Sequence, residues 1–146
     1  MPIRPENMAK YPGGSIRSPE WLTIRQRIRA RAGNCCEECG VGNHAVGGRD
    51  EDGHWFDAQD DDAVPGEYGF CTDLTGQRGE RDLRIIKIVC TVAHVDGKLD
   101  DHSDANLRFW CQRCHNRHDA ASRRANAAIT IHDRNAGTLD MFRSGK

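Results

Sequence analysis

The chain is short of what a large or membrane-bound protein is built from. Of its 146 residues only 37% are hydrophobic and 6% aromatic, so the sequence can bury one small core. No apolar run approaches the roughly 20 residues that span a bilayer, which excludes a helical membrane protein. The first ten residues lack the apolar stretch of a secretory signal, and the expected setting is the cytoplasm. No period of about 20–50 residues recurs, so a solenoid is excluded. The cysteines number seven, and an odd count without a signal disfavours a disulfide scaffold. In a reducing compartment those thiols point instead to metal ligation.

An excess of one charge is also missing. Lys and Arg number 21 against 22 Asp and Glu, and a near-neutral chain at face value disfavours nucleic acid. The distribution reverses that reading. Residues 1–40 carry a net +3, residues 41–76 a net −8, and residues 77–146 a net +4. Two basic ends flank an acidic middle, and it is the local field that decides binding.

Several elements can be read directly. Ser18 is a good N-cap, Pro19 suits the first helical position and Glu20 faces the positive end of the dipole. Trp21, Ile24, Ile28 and Ala32 recur at helical spacing and Gly33 supplies a stop, predicting a helix over 19–32. Its arginines, Arg25, Arg27, Arg29 and Arg31, suit phosphate contact and a solvated face equally. Residues 41–84 are rich in Gly and Asp and read as an irregular acidic insertion, with a short strand at His54, Trp55 and Phe56. Four aspartates fall within 57–62, but the alternating acids of a calcium loop are missing and a solvated loop is expected. Residues 85–93 are dense in β-branched side chains and read as a strand with Ile86, Ile88, Cys90, Val92 and His94 on one face. Leu107 to Trp110 is the natural return strand. After Cys114 the pattern becomes helical, with Gly137 its expected end.

Two C-x-x-C pairs stand out, Cys36/Cys39 and Cys111/Cys114. Thiolates at this spacing can place two sulfurs on one tetrahedral ion, and two pairs complete a four-cysteine structural Zn2+ site. For a lean core, such a closure is the main staple. A redox C-x-x-C is the competing reading, and the second pair weighs against it. Cys35 abuts Cys36 and could take its place as a ligand only by spoiling the two-residue spacing, whereas Cys71 and Cys90 lack a partner at metal spacing.

The stretch Thr-Val-Ala-His94-Val-Asp96, then Asn106-Leu, then Cys111-Gln-Arg-Cys114-His115-Asn-Arg-His118-Asp119 resembles the HNH endonuclease family. The likeness is to its zinc-ribbon form with two C-x-x-C pairs, in a bacterial and phage subgroup, and it covers roughly residues 21–40 and 85–125. The resemblance implies an α+β fold built on the ββα-metal (His-Me finger) motif, with a four-cysteine structural zinc site and flanking helices. One nuclease domain over 1–146 is expected, with an N-terminal arm at 1–17, the acidic insertion at 41–84 and the core with its following helix at 85–130.

By family role, His94 is the general base, Asn106 orients it through the loop, and His115 ligates a catalytic Mg2+ or Mn2+. One departure is Ala93, where many members carry a ligand just before the base. Asp119, sharing a helix face with His115 at i+4, is the first substitute, His118 the second and Asp96 the third. DNA contact is expected from Arg108, Arg113, Arg117, Arg123 and Arg124, mainly to the phosphate backbone. The implied activity is metal-dependent DNA hydrolysis, including nicking, in a bacterial or phage-infected cell. The alternative is a zinc-ribbon module that grips nucleic acid without cutting it. His44, His54, His102 and His132 fall outside these roles and read as exposed.

Overall fold

The structure is a computed structural model and describes residues 3–143. The chain divides into two compact units, Met1–Cys114 and His115–Lys146. In order, the elements are helix α1 (Pro5–Met8), a 3-10 turn, α2 (Pro19–Arg31), strands β1 (Val46–Arg49), β2 (Trp55–Ala58), β3 (Tyr68–Thr72), β4 (Glu80–Arg84), β5 (Ile86–Lys87), β6 (Cys90–His94) and β7 (Leu107–Cys111), and helix α3 (Gln112–Arg143). The class is α+β, as expected. Among the described residues no helix is long and apolar enough to cross a membrane.

Helix α2 starts and stops as its residues dictate. The Ser18 hydroxyl accepts the Trp21 amide at 3.2 Å, satisfying one of the orphan donors of the first turn. At the other end Gly33 adopts φ +63°, open to glycine at little steric cost. Its amide bonds the Ala30 carbonyl and the Asn34 amide bonds the Arg29 carbonyl, a Schellman closure.

Strands β6 and β7 form a two-stranded antiparallel sheet, pairing Cys90 with Cys111 through to His94 with Leu107. Helix α2 packs on it, and Trp21, Ile28, Leu107, Phe109 and Trp110 are buried in one cluster with Cys36, Cys111 and Cys114. The other five strands form a second antiparallel sheet in the order β4-β3-β2-β1-β5.

That second sheet corrects the expectation of an irregular 41–84 insertion. Its strands escape a pattern reading because they bury so little: β4 (Glu-Arg-Asp-Leu-Arg) has no fully buried residue. The core here is Phe56, Cys71 and Ile85. Each large apolar side chain buried contributes about 1.5–3 kcal/mol, so hydrogen bonding and close backbone approach hold much of this sheet. Gly47 illustrates the approach, because a Cβ there would lie 2.1 Å from the Phe56 carbonyl oxygen.

Two further expectations shift. The single strand at 85–93 is two strands, β5 pairing with β1 and β6 with β7. The chain passes from one sheet to the other at Ile88 and Val89, so the alternation fails: Ile85 is buried and Ile86 exposed. Helix α3 begins at Gln112, ahead of the expected start, which places Cys114 in its first turn; it also runs through Gly137.

Candidate functional site

The four cysteines of the two C-x-x-C pairs come together. Their sulfurs all lie within 4.8 Å of one another, and Cys39 and Cys111, 72 positions apart, approach to 3.7 Å. An ion bound by four thiolates at about 2.3 Å needs sulfurs roughly 3.8 Å apart, so this donor set fits zinc. The turn carrying the first pair is built around hydrogen bonds. The Gly40 amide donates to the Cys36 carbonyl, the Cys36 amide to the Val41 carbonyl, and the Cys111 amide to Cys36 Sγ at 3.3 Å. Glu37, inside the first pair, is the joint between elements. Its amide donates to the Phe109 carbonyl, and its carboxylate accepts the Phe109 amide at 2.7 Å and both Nε and a terminal nitrogen of Arg31. Burial raises the Glu37 carboxyl, but the Arg31 and Phe109 bonds outweigh it and hold it below its usual range.

Arg49, from β1, is aimed at this cluster. One terminal nitrogen lies 3.5 Å from Cys39 Sγ and 3.9 Å from Cys111 Sγ, the other donates to the Gly53 carbonyl, and the guanidinium sits over Trp55. Four thiolates around a divalent ion leave two negative charges, and Arg49 offsets one of them. Burial pushes the Cys39 thiol up, yet hydrogen bonds from the Val41 backbone, Arg49 and neighbouring thiols bring it down to about 7. Cys90, by contrast, is pushed up to about 12 by burial beside the other thiols, as suits a core residue. Cys35 and Cys71 also lie outside the cluster.

The second site lies at the end of β6. His94 is buried and its pKa is lowered by that burial, then by the neighbouring His102, so the imidazole is neutral at pH 7. The loop between β6 and β7 is tied by Asn106. The Asn106 amide group donates to Asp96 Oδ1 at 3.1 Å and to the Asp101 carbonyl at 2.9 Å, and its oxygen accepts the Asp96 amide. The Val95 amide, next to His94, bonds the Asn106 carbonyl. Asp96 Oδ1 also accepts the Lys98 amide, so this carboxylate is engaged within the loop. His102 corrects its expectation as an exposed bystander. It is half-buried, 3.1 Å from His94 Nε2, and its other nitrogen meets the Lys10 carbonyl at 2.8 Å. Ala93 is buried and offers no ligand.

On α3, His115 Nε2 and Asp119 Oδ2 are 3.1 Å apart at the i, i+4 spacing read from the sequence. His118 does not join them in a three-ligand cluster. The acids and histidine Asp50, Asp52 and His54 do lie within metal-binding distance of one another, but they are exposed or half-buried and His54 is bonded to Asp50. Among the described residues the aspartates of 57–62 form no such cluster.

The arginines divide by task. Arg31 donates to the Asp104 and Leu107 carbonyls as well as to Glu37, Arg27 pairs with Asp104 at 2.6 Å, and Arg29 bonds Asn34. Three of the four α2 arginines are therefore struts. Arg108 donates to the Ala105 and Leu107 carbonyls, the Arg113 guanidinium lies against Gly53, and Arg123 folds back onto Asn116. Arg117 and Arg124 are exposed on the helix.

No family model, curated protein or solved structure matches this chain. The site therefore rests on its own geometry. Three of its residues escape a motif reading: Glu37, Arg49 and His102. Each left a faint signal: an acid between paired cysteines, the lone base among nine acids in 41–76, and a histidine inside the loop joining two motif elements.

Proposed function

We propose that this chain is a divalent-metal-dependent DNA endonuclease of the HNH type, with a separate structural zinc at the four cysteines. The observation that carries the reading is His94: a buried, neutral imidazole at the end of a strand, beside a loop fastened by Asn106. In this reading β6, β7 and the start of α3 are the ββα-metal motif. A neutral imidazole near pH 7 is the form that accepts a proton from an attacking water, and Asn106 holds the loop that sets its direction. His115 and Asp119 offer a nitrogen and a carboxylate on one helix face, which suits Mg2+ or Mn2+ that keeps several waters. His115 and Asp119 would hold such an ion, and the chemistry it would supply is stabilisation of negative charge on the phosphate undergoing hydrolysis. Arg113, Arg117, Arg123 and Arg124, all exposed, and Arg108 are the cations this reading assigns to phosphate contact.

A second reading is a zinc-ribbon module that binds nucleic acid without cutting it. Ala93 favours it, since no ligand precedes the base. Plasmid DNA incubated with Mg2+ or Mn2+ separates the two. The nuclease reading expects nicked or linear product, a loss of about 10^2–10^4-fold in His94→Ala, and a weaker metal response in Asp119→Ala. A mobility shift with no product under either ion supports the binding module instead.

A further inference from the structure

His94 and His102 make a hydrogen-bonded chain whose proton positions follow from its end. His102 Nε2 lies 2.8 Å from the Lys10 carbonyl oxygen, which can only accept, so that nitrogen carries the hydrogen. A neutral imidazole has one N–H, so His102 Nδ1 is bare. It is 3.1 Å from His94 Nε2, which must then be the donor. His94 in turn is left with a bare Nδ1. Among the described residues that Nδ1 makes no hydrogen bond, and it is not one of the polar atoms sealed from solvent. Its lone pair is therefore within reach of solvent.

The rings around the pair hold this arrangement. Trp21 stacks on His94 with the planes 6° apart and centroids 5.8 Å apart, and Tyr11 stacks on His102 at 6.2 Å. His94 and His102 meet edge to face at 5.2 Å. A flip of either imidazole would place a carbon where a nitrogen stands in the chain and break its hydrogen bond.

We infer that His102 is a positioning residue for His94: bridging to the Lys10 carbonyl, it fixes His94 as the Nε2–H tautomer and presents Nδ1 as the proton acceptor. The link to cleavage rests on the proposed nuclease reading, whereas the tautomer itself does not. The same logic operates where a carboxylate fixes the tautomer of a catalytic histidine, with a second imidazole and a backbone carbonyl replacing the carboxylate.

The test reads both levels. Long-range 1H–15N correlation at neutral pH on the full-length zinc-loaded protein should show His94 as the Nε2–H tautomer. Observing the Nδ1–H tautomer in the wild type overturns the inference without any variant. His102→Phe keeps a ring against Tyr11 but removes both nitrogens, and should give a mixture of His94 tautomers. His102→Asn keeps an acceptor near the place of Nδ1 and should restore the single tautomer. With plasmid DNA and Mg2+, His102→Phe should lose about 10–100-fold in kcat with little change in KM, a usual cost of losing an imidazole's orienting partner, and His102→Asn should recover most of it. Full kcat in His102→Phe, with the His94 tautomer unchanged, rejects the role of His102 and leaves the nuclease reading intact. A wild-type protein that shows the Nε2–H tautomer yet cuts no DNA rejects the nuclease reading and leaves the tautomer lock standing.

Discussion

The two sheets of the first unit are stabilised in different ways. Strands β6 and β7, with α2, enclose a cluster of twelve buried residues in which tryptophans, aliphatics and three of the four paired cysteines are in contact. The five-stranded sheet has a hydrophobic cluster of only three residues, Phe56, Cys71 and Ile85, and it exposes Tyr68 and Phe70, with Leu74 exposed in the turn after β3. The first region is specified by side chains that must meet, the second mostly by backbone pairing and by glycines that let strands approach. Residues with assignable chemistry follow that division: His94, Asn106 and the cysteine pairs all belong to the first region. Arg49 is the point where the second reaches into the first.

The largest effect that would test this contrast is loss of a cysteine from each side. Cys36→Ala should abolish one-per-chain zinc binding and the cooperative unfolding of the α2–hairpin region, because a structural zinc supplies on the order of 10 kcal/mol in small domains. Cys71→Ala, in the core of the five-stranded sheet, should leave metal content unchanged and cost about 1–3 kcal/mol. Metal analysis beside thermal unfolding measures both. Equal zinc loss in the two variants would erase the distinction.

Gly47→Ala should come next. Its methyl would meet the Phe56 carbonyl and Trp55, so β1 must move away from β2. Overpacking of this kind costs about 1–3 kcal/mol, and denaturant unfolding should show it while zinc stoichiometry holds at one. Retained stability would mean that β1 and β2 have more slack than their pairing suggests.

The smallest effect is the response to acid, which should separate the regions by pH. His94 has a folded-state pKa below its ordinary value of about 6.5, so the unfolded chain takes up the proton first. Its contribution is complete above about pH 6.5 and is lost as pH falls through the depressed folded value. Asp73, in the turn after β3, is held below the usual carboxylate range first by the Thr75 hydroxyl and then by the Thr75 amide. Its contribution persists to about pH 4 and fades only below that. Hydrogen exchange across this range should show the hairpin region loosening first. His94→Gln should remove the upper phase and spare the lower.

The sequence revealed the first region and concealed the second for a physical reason. Ser18, Pro19 and Gly33 act on their immediate neighbours, so α2 is legible within fifteen residues. The cysteine spacings carry their meaning locally, and only their meeting across the chain needed the fold. A strand such as Val-Gly-Gly-Arg in β1 has no periodic signal, because its place is set by pairing with β2 and β5 on either side. Arg31 read as a possible phosphate contact because its carbonyl partners at Asp104 and Leu107 lie over seventy positions away. His102 reads as exposed in the sequence for the same reason: Lys10, whose carbonyl meets its Nε2, is 92 residues distant.

The 3.7 Å approach of Cys39 to Cys111 makes everything between them a closed loop once a metal is bound. Closure entropy grows only with the logarithm of loop length, and doubling the loop costs about 0.6 kcal/mol. From the standpoint of the metal-bound hairpin, the intervening segment is therefore almost indifferent to its own size. Turns at residues 60–66 and 74–79 can lengthen or shorten with little effect on the base of the loop, provided β1 still delivers Arg49 to the sulfurs. The five-stranded sheet is thus the adaptable part of this molecule, able to change its outer turns while the two ends stay pinned.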